Sequence, residues 1–271
     1  MSAQLRIRPP AVAGMFYPSD PDELNQMIDS WLERPVSVPR NDPPRALIVP
    51  HAGYVYSGEA AARAFSLWKG AAEIETVVVI GPAHRVPFYG VATVSADALA
   101  TPLGIVPVDT QLRDELVERF DYVGYLDEAH APEHSLEVEL PFIQKTVPHA
   151  RVLPLLNGEV TPEQEAAVLA YLWQKKGVYF VISSDLSHYH PYAEAKRIDS
   201  ETAALIEQGR WDALSGARAC GYKGIQGVLQ LTAHHPLVLA RLALVNSGET
   251  AGSKEKVVGY GAWAIWEAQP Q

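Results

Sequence analysis

Three histidines in this chain each stand a few residues beyond an apolar run. Ala46-Leu-Ile-Val49 leads into Pro50-His51-Ala-Gly53-Tyr54, and Thr76-Val-Val-Val-Ile80 into Gly81-Pro82-Ala-His84. Val178-Tyr-Phe-Val-Ile182 leads into Ser183-Ser184-Asp185-Leu-Ser187-His188. Imidazole suits proton transfer near neutral pH and is a common ligand for zinc, iron and copper. If the three runs are parallel strands of one sheet, their rings emerge at one rim and form a shared site. Asp185, three residues before His188, is placed to orient that ring or stabilise its charge, and equally to cap a following helix.

A second polar cluster is Glu133-His134-Ser135-Leu136-Glu137. The spacing of Leu136, Leu140 and Ile143 predicts a helix over 135–146, with Glu133, His134 and Glu137 near its first turn. There the carboxylates either cap the helix on a solvated face, favoured by its dipole, or stand beside the histidine rim as ligands or acid–base groups. Cys220, the only cysteine, has no motif spacing; it reads as a buried thiol, with a thiolate ligand or nucleophile as the sharper alternative. His130, His149 and His190 read as surface residues. His234 and His235 read as structural, since adjacent helical positions do not face one another. The glycines match neither a P-loop nor a dinucleotide fingerprint, and no G-x-S-x-G elbow is present.

The elements that must position these residues alternate. The apolar runs are short, continuous and bounded by turn residues, as strands covered on both faces are. Arg151-Val-Leu-Pro-Leu-Leu156 is a further strand whose Pro154 favours an edge or a strand end, and Val257 to Trp266 is a final strand. Asp20-Pro21-Asp22-Glu23 and Thr161-Pro162-Glu163-Gln164 read as helix starts. Ser57–Trp68, Thr110–Phe120 and Tyr192–Gln208 also read as helices. The pattern predicts an α/β sandwich: one domain over residues 1–271, with a largely parallel central sheet flanked by helices.

Composition agrees. In 271 residues, 48% are hydrophobic and 20% charged, enough apolar material for a self-supporting core. A single cysteine excludes an intrachain disulfide and points to a reducing compartment, most simply the cytoplasm. The 22 basic residues against 32 acidic ones give a net charge of −10 with no basic run, against a nucleic-acid partner. No apolar stretch reaches the roughly 20 residues of a membrane span, and the first residues lack the apolar block of a signal peptide.

Taken together, the strings resemble the Memo-like family, also called AmmeMemoRadiSam system protein B. They are Val12-Ala-Gly-Met-Phe-Tyr-Pro18, Pro50-His-Ala-Gly-Tyr54 with Tyr56-Ser-Gly58, Gly81-Pro-Ala-His84, Glu133-His-Ser-Leu-Glu137 with Leu140-Pro-Phe142, Ser183-Ser-Asp-Leu-Ser-His188 and Cys220-Gly221. The family's fold is similar to that of class III extradiol ring-cleaving dioxygenases, which use non-haem Fe(II). The resemblance implies that His51 and His84 are metal ligands, that His188 is the acid–base group beside the metal, and that Asp185 accompanies it. At the third ligand this chain departs: animal Memo proteins have a cysteine where Thr250 falls, so the neighbouring Glu249 is the candidate replacement. Relatives usually have proline at the position of Gly224. Tyr54, Glu133, His134, Glu137 and Cys220 are the remaining pocket candidates.

The implied cofactor is a divalent metal, Fe(II) first, with copper or zinc as alternatives. The implied activity is a metal-dependent oxidoreductase acting on a small molecule. Its alternatives are a non-catalytic protein that binds a ligand, peptide or metal in the same cleft, and a zinc hydrolase. The system name further implies a functional link to a radical SAM protein and to system protein A.

Overall fold

The computed structural model describes residues 3–269. In chain order its strands are β1 (Ile7–Arg8), β2 (Ala46–Val49), β3 (Thr76–Pro82), β4 (Val91–Thr93), β5 (Ala98–Thr101), β6 (Gly104–Pro107), β7 (Val123–Tyr125), β8 (Arg151–Asn157), β9 (Val178–Ser183), β10 (His188–His190), β11 (Leu237–Asn246) and β12 (Val257–Glu267). The helices are α1 (Pro21–Leu32), α2 (Tyr54–Phe65), α3 (Thr110–Arg119), α4 (Asp127–His130), α5 (Leu140–Thr146), α6 (Pro162–Trp173), α7 (Tyr192–Glu207) and α8 (Tyr222–Gln230).

The continuous apolar runs become the middle of a nine-stranded sheet, where β2, β9, β3 and β8 lie side by side and parallel. Side chains alternate between faces along a strand, and each face has its own apolar layer. Leu47, Val49, Val77, Val79 and Val181 pack with α1, α2 and α5. Ala46, Ile48, Val78, Ile80, Phe180 and Ile182 pack with α6, α7 and α8. The chain is thus a single α/β domain with helices on both faces of one sheet. The sheet is mixed rather than largely parallel: β12 runs antiparallel to β2, β11 to β12 and β4 to β8. A small second sheet joins β1, β5 and β6.

Three local outcomes differ from the sequence pattern. Pro154 lies in an interior strand, yet the Thr93 hydroxyl donates to its carbonyl at 2.9 Å, so its polar edge faces β4. The β4 ladder reaches only Leu156 and Asn157, so the missing N–H costs no sheet bond. Leu237–Asn246, apolar but interrupted by Arg241, is an edge strand rather than helix; the Arg241 guanidinium forks onto Glu207 at 2.6 and 2.9 Å. The helix expected over 135–146 is a short 3-10 turn, Glu137–Glu139, followed by α5. Pro141 sits in the first turn of α5, where its lacking N–H is harmless. The preceding segment therefore winds inward, burying Glu133, Glu137 and Glu139 instead of displaying them on a solvated face.

The start signals at α1 and α6 are realised. Asp20 accepts from Glu23 N at 2.9 Å, and Thr161 and Gln164 form a reciprocal capping box. In α6, Glu165 is buried against α8, accepting from Asn157 Nδ2 at 3.1 Å through one oxygen while the other has no partner among the described residues. Burial pushes its carboxyl up to about 7, against the Asn157 hydrogen bond and the Lys223 charge. A carboxyl that holds its proton more tightly when folded stabilises the fold in acid and loses that contribution as pH rises through about 7. Chemical denaturation at pH 5 and pH 8 is expected to show wild type losing more stability across this window than Glu165→Gln. Parallel pH profiles for the two proteins would contradict this assignment.

Candidate metal centre

Parallel pairing sets Val49 opposite Ser183 and Ile80 opposite Ile182, so β2, β9 and β3 end together. His51, Asp185 and His84 each follow their strand by two residues, at one rim. The inward-wound segment after α4 brings His134 to the same place. It approaches closely because Gly81 has no side chain: a Cβ there would meet Leu136 Cδ2 at 2.8 Å and Ser135 Oγ at 3.0 Å. Ring centroids lie 5.2 Å apart for His51 and His84, 4.7 Å for His84 and His134, and 5.4 Å for His51 and His134. One ring nitrogen from each falls within 4.8 Å of the others. The close trio is therefore His51, His84 and His134. His188, half-buried in β10, is near enough for its charge to act on His51 and Asp185 but stands outside this trio.

Hydrogen bonds fix which nitrogens are free. Ser183 Oγ lies 2.6 Å from Ser135 O, 2.9 Å from Glu139 Oε1 and 2.8 Å from His51 Nδ1. A carbonyl can only accept, so the single hydroxyl proton goes to Ser135. Burial pushes the Glu139 carboxyl well above the usual carboxylate range, so it keeps its proton and donates to Ser183. The remaining Ser183 lone pair accepts from His51 Nδ1–H. His51 Nε2 is left with a bare lone pair. Burial and the neighbouring imidazoles of His84 and His134 hold this ring neutral.

At His84 the orienting group is Glu133. Its Oε1 lies 2.8 Å from His84 Nδ1, and its Oε2 accepts from His84 N at 2.5 Å. His134 N and Ser135 N also donate to Glu133, at 3.1 and 3.0 Å. Burial raises this carboxyl, but the bonds from His84 and Ser135 outweigh it and hold the group at about 2. Glu133 is thus an anion at neutral pH, and a ring N–H facing it leaves Nε2 of His84 free. A carboxylate–histidine pair of this kind is a usual support for a metal ligand. His134 is stacked between Phe16, at 4.5 Å, and His84, and burial disfavours its charged form.

Cys220 and Asp185 stand on the other side of His51. Asp185 N donates to Cys220 Sγ at 3.3 Å and Cys220 N to Asp185 O at 3.3 Å. The sulfur is 3.3 Å from His51 Nε2. Asp185 Oδ1 accepts from His51 N at 2.9 Å, and Oδ2 is 3.7 Å from His51 Nε2. Burial, then the Asp185 charge, push the thiol up to about 12; burial also raises Asp185. Gly221 lets this corner close, since a Cβ there would collide with Ser183 O. A cavity of about 300 Å3 opens beside Cys220, lined by Pro82, Ala83, Phe88, Asn157, Glu159 and Lys223 among others. The glycine at position 224 lets α8 lie close to the strands, where a Cβ would sit 3.0 Å from Ile182 Cγ2.

The remaining sequence candidates lie elsewhere. Glu249 follows β11, outside the parallel strands, and closes its own turn: Oε2 accepts from Asn246 N at 3.0 Å and Oε1 from Tyr192 OH at 2.8 Å. Lys196 lies 3.6 Å from Oε1. It is not brought to the histidine trio. Both Glu137 oxygens are fully used, Oε1 by Val12 N and Tyr17 OH, Oε2 by Arg8 and Ala11 N. Tyr54 is buried among Tyr17, Trp31 and Phe142, donating to Val138 O at 2.5 Å. His130 is buried, not on the surface, with Nε2 2.8 Å from Ala92 O. Among groups near the rim, Ser183 and Glu139 have no counterpart among the residues that spacing alone singles out. The signal available was a polar residue ending a buried strand and a carboxylate just ahead of the apolar Leu140-Pro-Phe142.

Residues 8–264 match the family described as Memo-like protein. The chain belongs to the Memo-like family. A MEMO1 family protein of Methanosarcina barkeri is 37% identical over 274 residues, covering 94% of this chain and 98% of its own. A MEMO1 family protein of Aquifex aeolicus is 35% identical, covering 94% and 98%, and one of Sulfolobus acidocaldarius is 35% identical, covering 94% and 97%. In this Memo-like protein no helix among the described residues is long and apolar enough to cross a membrane.

Proposed function

We propose that this Memo-like protein is a metal-dependent oxidoreductase of dioxygenase-like fold, acting on a small molecule at a centre held by His51, His84 and His134. The observation that carries the reading is the arrangement of the first two rings. Each commits Nδ1 to a hydrogen-bond partner and leaves Nε2 as a bare donor at the same rim. Neutral imidazoles suit iron, copper and zinc rather than calcium or magnesium. The donor set therefore fits a resident cation of that group, Fe(II) first. When bound, such a cation supplies Lewis acidity and lowers the pKa of an oxygen ligand.

The chain's own groups do the rest. Glu133 and Ser183 hold the rings, and the cavity beside Cys220 admits a small molecule to the rim. His188, with Asp185 within range of its charge, is placed to exchange a proton with a bound substrate. Three neutral histidines also support a second reading, a zinc hydrolase, because three histidines and one open position make a familiar catalytic zinc site.

Anaerobic purification followed by metal analysis tests the centre. Wild type and Glu249→Ala are expected to carry equal, stoichiometric metal, and His51→Ala to lose it. Equal metal in His51→Ala would overturn the site. Zinc without oxygen uptake in the presence of phenolic substrates would favour the hydrolase.

A further inference from the structure

His51 Nε2 faces two donor groups at once. One is the pair His84 and His134; the other is Asp185 and Cys220, whose donor atoms also lie within 4.8 Å of one another and of His51. A nitrogen lone pair holds one cation, so the two groups cannot be filled separately. Either the sulfur and carboxylate are bystanders, or they belong to the coordination sphere of the ion that His51 holds.

The spacing decides between these. A tetrahedral zinc-like cation with bonds of about 2.0 Å to nitrogen and about 2.3 Å to sulfur separates those two donors by about 3.5 Å. His51 Nε2 and Cys220 Sγ are 3.3 Å apart. The same construction with a carboxylate oxygen gives about 3.4 Å, and Asp185 Oδ2 stands 3.7 Å from Nε2. The backbone already holds the sulfur in place, since Asp185 and Cys220 exchange hydrogen bonds through N–H to sulfur and N–H to carbonyl. No rearrangement larger than a few tenths of an ångström is required.

We infer that Cys220 is an inner-sphere thiolate ligand of the ion held by His51, with Asp185 flanking it, making a mixed nitrogen–sulfur centre selective for thiophilic cations. The inference rests on the reading of His51 as a metal ligand and sharpens it. Coordination breaks the S–H bond, passes the proton to solvent and gives the sulfur pair to the cation, with no change in oxidation state. Soft and borderline ions such as Cu(I), Zn(II) and Co(II) are then preferred over Mn(II) or Mg(II), which a purely nitrogen and oxygen site would discriminate less.

Co(II) added to the metal-free, full-length protein under anaerobic conditions provides the test. Because Cys220 is the only cysteine, any thiolate-to-cobalt charge-transfer absorption in the near ultraviolet reports this residue alone. Wild type is expected to show that band together with visible cobalt transitions. Cys220→Ser is expected to keep the visible transitions and lose the band. A wild type with visible cobalt bands, abolished in His51→Ala, but no charge-transfer band would overturn the thiolate assignment and leave the histidine centre standing. Failure of wild type to bind cobalt or zinc at all would overturn both. As a check independent of any variant, Zn(II) is expected to slow alkylation of the wild-type thiol at least tenfold, and a chelator to restore it. An alkylation rate indifferent to zinc, measured at saturating metal, would count against the proposal equally.

Discussion

Glu137→Ala is expected to destabilise the protein by about 3–5 kcal/mol, the cost of removing one partner from a buried ion pair. The carboxylate is fully enclosed and pairs with Arg8 at 3.0 Å. It also accepts from Ala11 N, Val12 N and Tyr17 OH, at 2.8, 3.0 and 2.7 Å. Truncation strands two backbone donors and a phenol in the interior; burial and the Glu137 charge keep that phenol protonated. Arg8 is less exposed to the loss, since its guanidinium also donates to His130 O and Glu133 O. Against the 5–15 kcal/mol that ordinarily holds a domain together, the deficit is large enough to move a urea midpoint far down. Glu137→Gln, which keeps acceptor oxygen on one side, should fall between wild type and alanine. The first region to loosen should be residues 8–17, read as faster proteolysis there. A urea midpoint for the alanine variant within error of wild type would refute this role.

That result would also explain why the sequence misplaces Glu137. From spacing alone, a carboxylate in a Glu-x-x-x-Glu string before an apolar run is a helix-start residue or a ligand. Its actual partners, Arg8 and Tyr17, are far away in the chain, and nothing in local periodicity announces a pairing across that distance. The strand ends were legible for the opposite reason. Ala46–Val49, Thr76–Pro82 and Val178–Ser183 are apolar on both faces, which only an interior strand tolerates, and the residues just past such a strand fall at the rim by geometry. His51, His84 and Asp185 were placed by that rule. His134 depended on a glycine at position 81 permitting close approach, and on a proline at position 141 delaying a helix. Those are tertiary consequences of two residues with no signature of their own in a hydropathy pattern. Glu249 shows the limit of motif transfer. A position at the end of an edge strand carries a carboxylate of the right type, but its own turn and Tyr192 claim both oxygens before any metal could.

Glu133→Gln is expected to weaken Zn(II) or Co(II) binding by about 10–100-fold, the usual loss when the hydrogen-bond partner behind a ligating histidine is removed. The carboxylate does not reach the cation in this arrangement. It holds His84 through the ring Nδ1–H and the backbone N–H, and with the same two oxygens holds the backbone of His134 and Ser135. An amide can satisfy one of those oxygens' partners, but its NH2 must then face another donor, so one of the four bonds becomes a repulsion. The negative charge that favours a nearby cation is lost as well. Because the His84 and Ser135 bonds hold Glu133 down at about 2 against the pull of burial, it is fully ionised from pH 5 to pH 8. The ratio of wild-type to variant affinity should therefore be constant over that range. Competition titrations against a chelator at pH 6 and pH 8 read both the size of the loss and its flatness, and circular dichroism guards against a collapsed fold. An affinity unchanged in a folded Glu133→Gln protein would mean that His84 does not ligate through the nitrogen opposite this carboxylate. The orientation argument for the whole rim would then fail at its best-determined ring.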